Sequence, residues 1–349
     1  MVGHDGRPHA ERTSMEISAQ FMPGDLPVFT ESVRKAEEMG YSRAWLVDGQ
    51  LLWRNVFVYM THGLAATEHI PFGTAVTNPF TRHYTVVANA HATLAEIYPG
   101  RVILGMGRGD NSVRTIGRSP VKTDAFKEVI PKVRALMAGE TADNDGTEIK
   151  ILWADGSAPE VPIMMPATGP KNLRLAGALA DIVMIQVGHN PVAVKWAIDH
   201  IHAGAEAAGR DPAEVQTTMY TAMWVSDDMN EARGMTRWLA ACAANHIEQT
   251  ARNNKDHGMP PEMARILEVD RGHYDYAGHL DPTVERSEYP DDIVDDFAFN
   301  GTPEQILEML HELSEVGLDE IAPAYLNGRD EQMEIVGREI IPRLESVRA

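Results

Sequence analysis

Short apolar runs alternate along most of the chain with longer stretches that are apolar at every third or fourth residue. The first kind of run predicts buried strands and the second amphipathic helices. Glu16–Phe21 predicts a first strand. Leu26–Met39 follows with helical spacing at Val28, Val33 and Ala36 and stops at Gly40. The next units pair strand Arg43–Val47 with helix Val56–Thr67, Ile70–Val76 with Thr85–Ile97, and Arg101–Met106 with Asp124–Met137. Pro162–Met165 precedes helix Asn172–Leu179, and Ile182–Gln186 precedes Val192–Ala208. A long strand, Val215–Val225, leads to helix Met229–Asn245, and Glu320–Tyr325 leads to Glu331–Leu344.

Eight strand–helix units in series imply a parallel sheet. The fold class they predict is α/β, a (β/α)8 TIM-type barrel with an insertion before the last strand. A doubly wound open sheet has the same periodicity and stays open as an alternative. Residues 247–300 break the rhythm, being rich in His, Asp, Pro and Gly with only weak helix signals around Pro261–Val269. An excursion there is expected to form an active-site lid or an oligomer contact, the alternative being a surface loop without a role. Regular structure resumes with Thr302 as a helix N-cap, Pro303 at the first position and Gln305 at the third. Residues 1–14 read as a polar arm, and 15–349 as one barrel domain.

Charge narrows the function classes. Against 31 basic residues stand 51 acidic ones, a net charge of −20. Nucleic-acid binding needs a basic footprint, and an anionic membrane disfavours an acidic surface, so neither partner is expected. The first fourteen residues lack the apolar core of a signal peptide, and no apolar run approaches the roughly 18 residues of a membrane span. A soluble, cytoplasmic protein is expected. The single cysteine, Cys242, lies in an alanine-rich helix and reads as a core position rather than a thiol nucleophile. No spacing of His, Cys or acidic residues predicts a metal site.

In a barrel the chemistry gathers where strands end. The second strand ends at Asp48. The third runs into Gly73–Pro79, the fourth into Gly105-Met106-Gly107-Arg108-Gly109-Asp110, the fifth into Ala167-Thr168-Gly169-Pro170-Lys171, and the sixth into Gln186-Val187-Gly188-His189. Glycine lets backbone N–H groups approach an anion closely, and Arg108 or Arg114 adds charge. The same glycines also fit a plain tight turn. Thr168-Gly169 opens a helix, which directs backbone donors at the barrel mouth. His83, His91 and His189 read as satisfied polar residues. His257, His273 and His279 fall in the excursion. Met106, Met164, Met165, Met184, Met219 and Met223 lie on strands and read as barrel filling.

These segments resemble a known family. G-T-A-V-T-N-P-F-T-R-H (Gly73–His83), A-T-L-A-E-I-Y-P-G-R (Ala92–Arg101) and L-G-M-G-R-G-D (Leu104–Asp110) are similar to the methylenetetrahydromethanopterin reductases that use the deazaflavin F420. The similarity resumes at Ala167–Gly177, Ala203–Gly209 and Gly301–Gln305. It extends to the wider bacterial luciferase-like superfamily, including F420-dependent dehydrogenases and FMN-dependent monooxygenases. The resemblance implies a flat tricyclic ring in the barrel mouth, with a non-prolyl cis peptide at Ala75–Val76 against its back face. It implies cofactor contacts from Ala75, Val76, Thr77, Gly107, Arg108, Gly109, Asp110, Thr168, Gly169, Gln186 and Gly188. Asp48 and Gln20 take the positions of polar groups beside the reacting centre. Two departures stand out: Asp48 is followed by Gly49 where the reductases often carry His, and Gln20 stands where the pterin reductases carry an acid. Glutamine cannot act as a general acid, which argues against a pterin substrate.

The function these readings predict is F420-dependent hydride transfer to or from a small organic substrate. Trp53, Trp224 and the excursion are expected to wall the substrate side. An FMNH2-dependent monooxygenase supplied by a separate flavin reductase is the alternative, and a non-catalytic flavin- or F420-binding protein a second one. A homo-oligomer is expected from the resemblance alone.

Overall fold

The computed structural model describes residues 15–253, 258–270, 274–278, 280–325 and 330–346. The polar arm read at residues 1–14 lies outside them, as do His257, His273 and His279.

Eight parallel strands form the centre. We number them β1 (Glu16–Ile17, continuing after Ser18 as Ala19–Phe21), β2 (Ala44–Leu46), β3 (Phe72–Thr74), β4 (Val102–Gly105), β5 (Ile163–Ala167), β6 (Ile182–Ile185), β7 (Gln216–Thr221) and β8 (Glu320–Tyr325). Each pairs with the next, and β8 pairs with both β7 and β1: Thr218 lies opposite Glu320, and Gln20 opposite Ala324. The sheet therefore closes on itself, and the open-sheet alternative fails. Helices α1 (Leu26–Glu38), α2 (Val56–Ala66), α3 (Tyr84–Ile97), α4 (Thr123–Met137), α5 (Pro170–Leu179), α6 (Pro191–Ala207), α7 (Met229–Asn253), α8 (Pro303–Glu315) and α9 (Asp330–Glu339) connect or follow the strands. Several start at the caps their sequences offer: Asp25 accepts from Val28 N, Asn190 from Val192 N, and Thr302 with Gln305 forms a reciprocal capping box.

Strand alternation sorts side chains by face. Trp45, Ile103, Met164, Ile182, Met184 and Ala322 form a small cluster separate from the main core. Gly73 makes room for it, since a Cβ there would lie 2.3 Å from the Trp45 ring. Of the strand methionines, only Met164 and Met184 belong to this inner cluster. Met106, Met165, Met219 and Met223 pack in the main core instead.

Three elements differ from the sequence reading. The long strand breaks at Ala222, because Met223–Val225 leaves the barrel to pair with Phe299–Gly301 on the return of the excursion. Helix α7 continues past Asn245 to Asn253, so the excursion begins later than the pattern suggests. A hairpin, Ala142–Asn144 with Thr147–Ile149, turns at Asp145-Gly146 with φ of 52° and 84°. The Asp-Gly pair is a known hairpin signal that the reading of this loop overlooked.

Candidate active site

A cleft of about 740 Å³ opens at the C-terminal ends of the strands. The segments after β3, β4 and β5 meet there: Ala75 and Val76, Gly107 to Ser112, and Pro166 to Asn172 all line it. Gln20, Asp48 and Gln186 also line it. The peptide between Ala75 and Val76 is cis, at the position the resemblance implies. Gly107 is needed under it, because a Cβ there would come within 2.8 Å of Val76 Cγ2. Gly109 has φ +87°, a conformation that favours glycine, and lets the chain turn toward the short helix Asn111–Arg114.

Two predicted contacts do not reach the cleft. Thr77 is fully buried behind the rim, where its N–H donates to Gly105 O and its carbonyl accepts from Gly107 N. Gly188 packs under the excursion, and a Cβ there would approach Asp296 O to 2.7 Å. Trp53 lines the cleft, whereas Trp224 lies on the strand Met223–Val225 and does not.

The polar groups divide into two sets. One lies at the β4 and β5 loops. Arg108 donates to Thr123 Oγ1 at 2.6 Å, and among the described residues it pairs with no carboxylate. Burial lowers its pKa, and Arg114 adds to that. Nearby, Gly169 precedes α5 and offers no side-chain cap, and Thr168 to Asn172 line the cleft, leaving the N–H groups of the first turn after Pro170 without a capping side chain. The Gly169 turn is held close by α7, whose Thr250 Cγ2 would lie 2.5 Å from an added Cβ.

The second set is a hydrogen-bonded chain across the cleft. Arg114 Nε donates to Asp110 Oδ1 at 2.7 Å, and His246 bridges Asp110 Oδ2 (3.2 Å) and Gln186 Oε1 (2.5 Å). Gln186 Nε2 reaches Cys242 Sγ at 3.5 Å. Burial pushes the Asp110 carboxyl upward, but His246 and Arg114 outweigh it and hold the acid well below the usual carboxylate range. Burial pushes the Cys242 thiol up to about 12, which agrees with a core rather than a nucleophilic role. His189 is likewise a satisfied residue, its ring bonded to Asp295 O.

His246, Gln249 and Thr250 were not among the residues read from the sequence, because α7 was expected to end at Asn245. The signal was present: no Gly or Pro interrupts the chain from Pro212 to Gly258 except Gly234. Arg82, which pairs with Asp48 and places its guanidinium 5.1 Å from the centre of the Phe57 ring, was also missed as a site residue. Its motif was noted, but nothing local links it to a strand 34 residues earlier.

A family model described as luciferase-like monooxygenase matches residues 4–320. The chain belongs to that family. It is 32% identical over 339 residues to a 5,10-methylenetetrahydromethanopterin reductase of Methanolobus tindarius, covering 94% of this chain and all of the relative. It is 31% identical over 286 residues to an F420-dependent glucose-6-phosphate dehydrogenase of Microbacterium testaceum, covering 76% of this chain and 82% of that one. The solved structure of a coenzyme F420-dependent tetrahydromethanopterin reductase from Methanopyrus kandleri superimposes with a TM-score of 0.73 at 23% identity, over 95% of this chain and 99% of that one. That last likeness is one of fold, and this luciferase-like barrel shares it along nearly its whole length.

Proposed function

We propose that the cleft binds F420 and that the chain moves a hydride to or from a small organic substrate. The observation that carries this reading is the polarity of the cleft. Its lining includes a half-buried guanidinium, Arg108, that pairs with no carboxylate among the described residues, and the start of α5, which has no side-chain cap. It also includes the apolar residues Ala75, Val76, Met184 and Ile185 and the ring of Tyr220. A planar ring with an anionic tail matches that arrangement, since helix N-termini and guanidinium groups favour phosphate. The name of the F420-dependent relative at 31% identity supports the deazaflavin as that ligand.

When bound, F420 supplies the ring carbon that gives or takes the hydride. The chain supplies position. Val76 and Gly107 would border the ring, with Gly107 leaving room for the Val76 side chain. Arg108, Thr168 and the first N–H groups of α5 would hold the anionic tail. The Asp110–His246–Gln186 chain ties β4, β6 and α7 together so that the slot keeps its width. The Asp48 carboxylate, paired with Arg82, accepts a hydrogen bond or a proton from the substrate. This reading includes a homo-oligomer, supported by Val58, Val86 and Ile97 on α2 and α3, each more than half exposed.

The test is parallel titration of the purified protein with F420 and with FMN, followed by fluorescence quenching and then by oxygen uptake of the reduced complexes. Tight F420 binding without oxygen uptake is expected. Preferential binding of reduced FMN with oxygenation of a substrate makes the chain the monooxygenase of a two-component system, and a reductase partner is then required.

A further inference from the structure

Among the described residues five glycines lie inside helices, and packing requires four of them. A Cβ at Gly63 of α2 would lie 2.4 Å from the Phe72 ring, and one at Gly337 of α9 2.6 Å from Met39 Sδ. At Gly177 and Gly204, where α5 and α6 cross, it would lie 2.0 Å from Ile201 O and 2.0 Å from Arg174 O. Gly234, in the second turn of α7, is different: a Cβ there would meet nothing within 4 Å. Glycine weakens a helix relative to alanine, and no described neighbour crowds this position. Gly234 lines a second cavity of about 410 Å³, between α7 and residues 282–291. None of the residues lining it lines the cleft.

Charge points to the same cavity. Arg286 lines it and is 7% exposed. Its guanidinium donates to the backbone oxygens of Gly278 (2.6 Å), Asp281 (2.6 Å) and Val284 (3.1 Å). Among the described residues Arg286 pairs with no carboxylate, and its Nε donates to nothing. Asp281 turns its carboxylate to Thr283 instead. Two acids line the cavity, but Asp291 pairs with Arg237 and Arg233, and Glu285 is exposed to solvent. Carbonyl groups orient the buried guanidinium without neutralising it, so an anion brought beside it gains more than one at the surface.

We propose that this second cavity binds a small organic oxyanion. Arg286 takes the carboxylate or phosphate, and Gly234 lets the rest of the molecule touch the bare helix. Both groups match a guanidinium, and the volume falls within the range of small-molecule sites. The site does not depend on what the cleft binds.

Benzoate, phenyl phosphate and neutral benzamide serve as probes, titrated calorimetrically into the full chain. At least one of the anions is expected to bind about 10- to 100-fold tighter than benzamide, as for a hydrogen bond to a charged group. The tighter of the two identifies the oxyanion as carboxylate or phosphate. Gly234→Leu should abolish that binding by filling the cavity beside the helix. Arg286→Met should remove the preference for the anion, and where that variant fails to fold, Gly234→Leu carries the test. Gly234→Ala should raise the melting temperature by about 2 °C, since alanine is the better helix former and meets no neighbour. Arg108→Met, which removes the guanidinium of the cleft, should leave the probe affinities unchanged. Equal affinity for the anions and benzamide, no binding of either anion, or binding that survives Gly234→Leu overturns the proposal. Loss of binding in Arg108→Met places the anion in the cleft and overturns it as well. So does a lower melting temperature for Gly234→Ala, because the space beside the helix is then filled by the protein itself.

Discussion

At the N-terminal rim of the barrel, Glu320 is fully buried, and both its oxygens are occupied. Ser18, Thr218 and Trp45 donate to Oε1, while Arg43 at 2.7 Å and Ser42 at 2.9 Å donate to Oε2. Arg43 donates again to Gln216 Oε1, and among the described residues Gln216 Nε2 has no partner. At the C-terminal rim, among the described residues, Gln20 Oε1, one inward position beyond Ser18 on β1, has no partner, and Arg108, in the loop after β4, pairs with no carboxylate. Both rims are polar and largely withdrawn from water. The difference lies in whether the protein completes its own hydrogen bonds. A buried charge with every partner present makes a plug, and a set of groups left incomplete makes a binding site.

The strongest way to break this comparison is Arg43→Met. It strands the Glu320 carboxylate in the barrel floor, and such a loss typically lowers stability by about 3–5 kcal/mol. Denaturant melts should show that loss, while F420 affinity measured on the folded fraction stays put. A large affinity change with little loss of stability reverses the roles of the two rims.

Acid gives the next effect, and it belongs to neither rim. His91 is fully buried on α3, with Nδ1 bonded to Val87 O, Nε2 without a partner among the described residues, and its ring edge-on to Phe57. Burial lowers its pKa from 6.5 to about 4. The unfolded chain therefore takes up a proton before the folded one does. Stability is whole above pH 6.5 and falls as the pH drops toward 4, by roughly 3 kcal/mol. His91→Phe should flatten that part of the pH profile of the melting temperature. If the slope is unchanged in the variant, the acid sensitivity lies elsewhere, with the rim carboxylates as the first suspects.

At the open rim, Arg108→Met is expected to weaken F420 binding roughly 10- to 100-fold, as for loss of a hydrogen bond to a charged group. Stability should change by about 1 kcal/mol or less. The weakest effect is a deliberate absence. Because burial holds the Cys242 thiol near 12, iodoacetamide at mildly alkaline pH should leave the folded chain unmodified by mass spectrometry. Rapid alkylation would mean that the cleft floor opens.

Much of the fold is legible because it is local. Each of the eight strands coincides with a short apolar run, and several helices begin at a capping residue visible in the chain. The glycine turns were legible at the strand ends themselves, where the backbone admits few alternatives to glycine, and the cis peptide position came through motif resemblance. What stayed hidden depends on partners far away. Nothing near Val215–Val225 tells that its last three residues pair with Phe299–Gly301. Nothing near Gly188 tells that it serves the excursion rather than the cleft.

By itself the sequence determined the periodicity, the caps, the acidic surface and the order of the strand-end turns, all properties that a residue shares with its near neighbours. Only the tertiary structure decided that Arg43 closes over Glu320, that Arg82 meets Asp48, that His246 bridges Asp110 and Gln186, and that Gln20 Oε1 has no partner among the described residues. A hydrogen bond is short and directional, so whether a polar group is satisfied depends on ångström-scale placement by strands far apart in the chain. Hydrophobic periodicity carries no record of that placement.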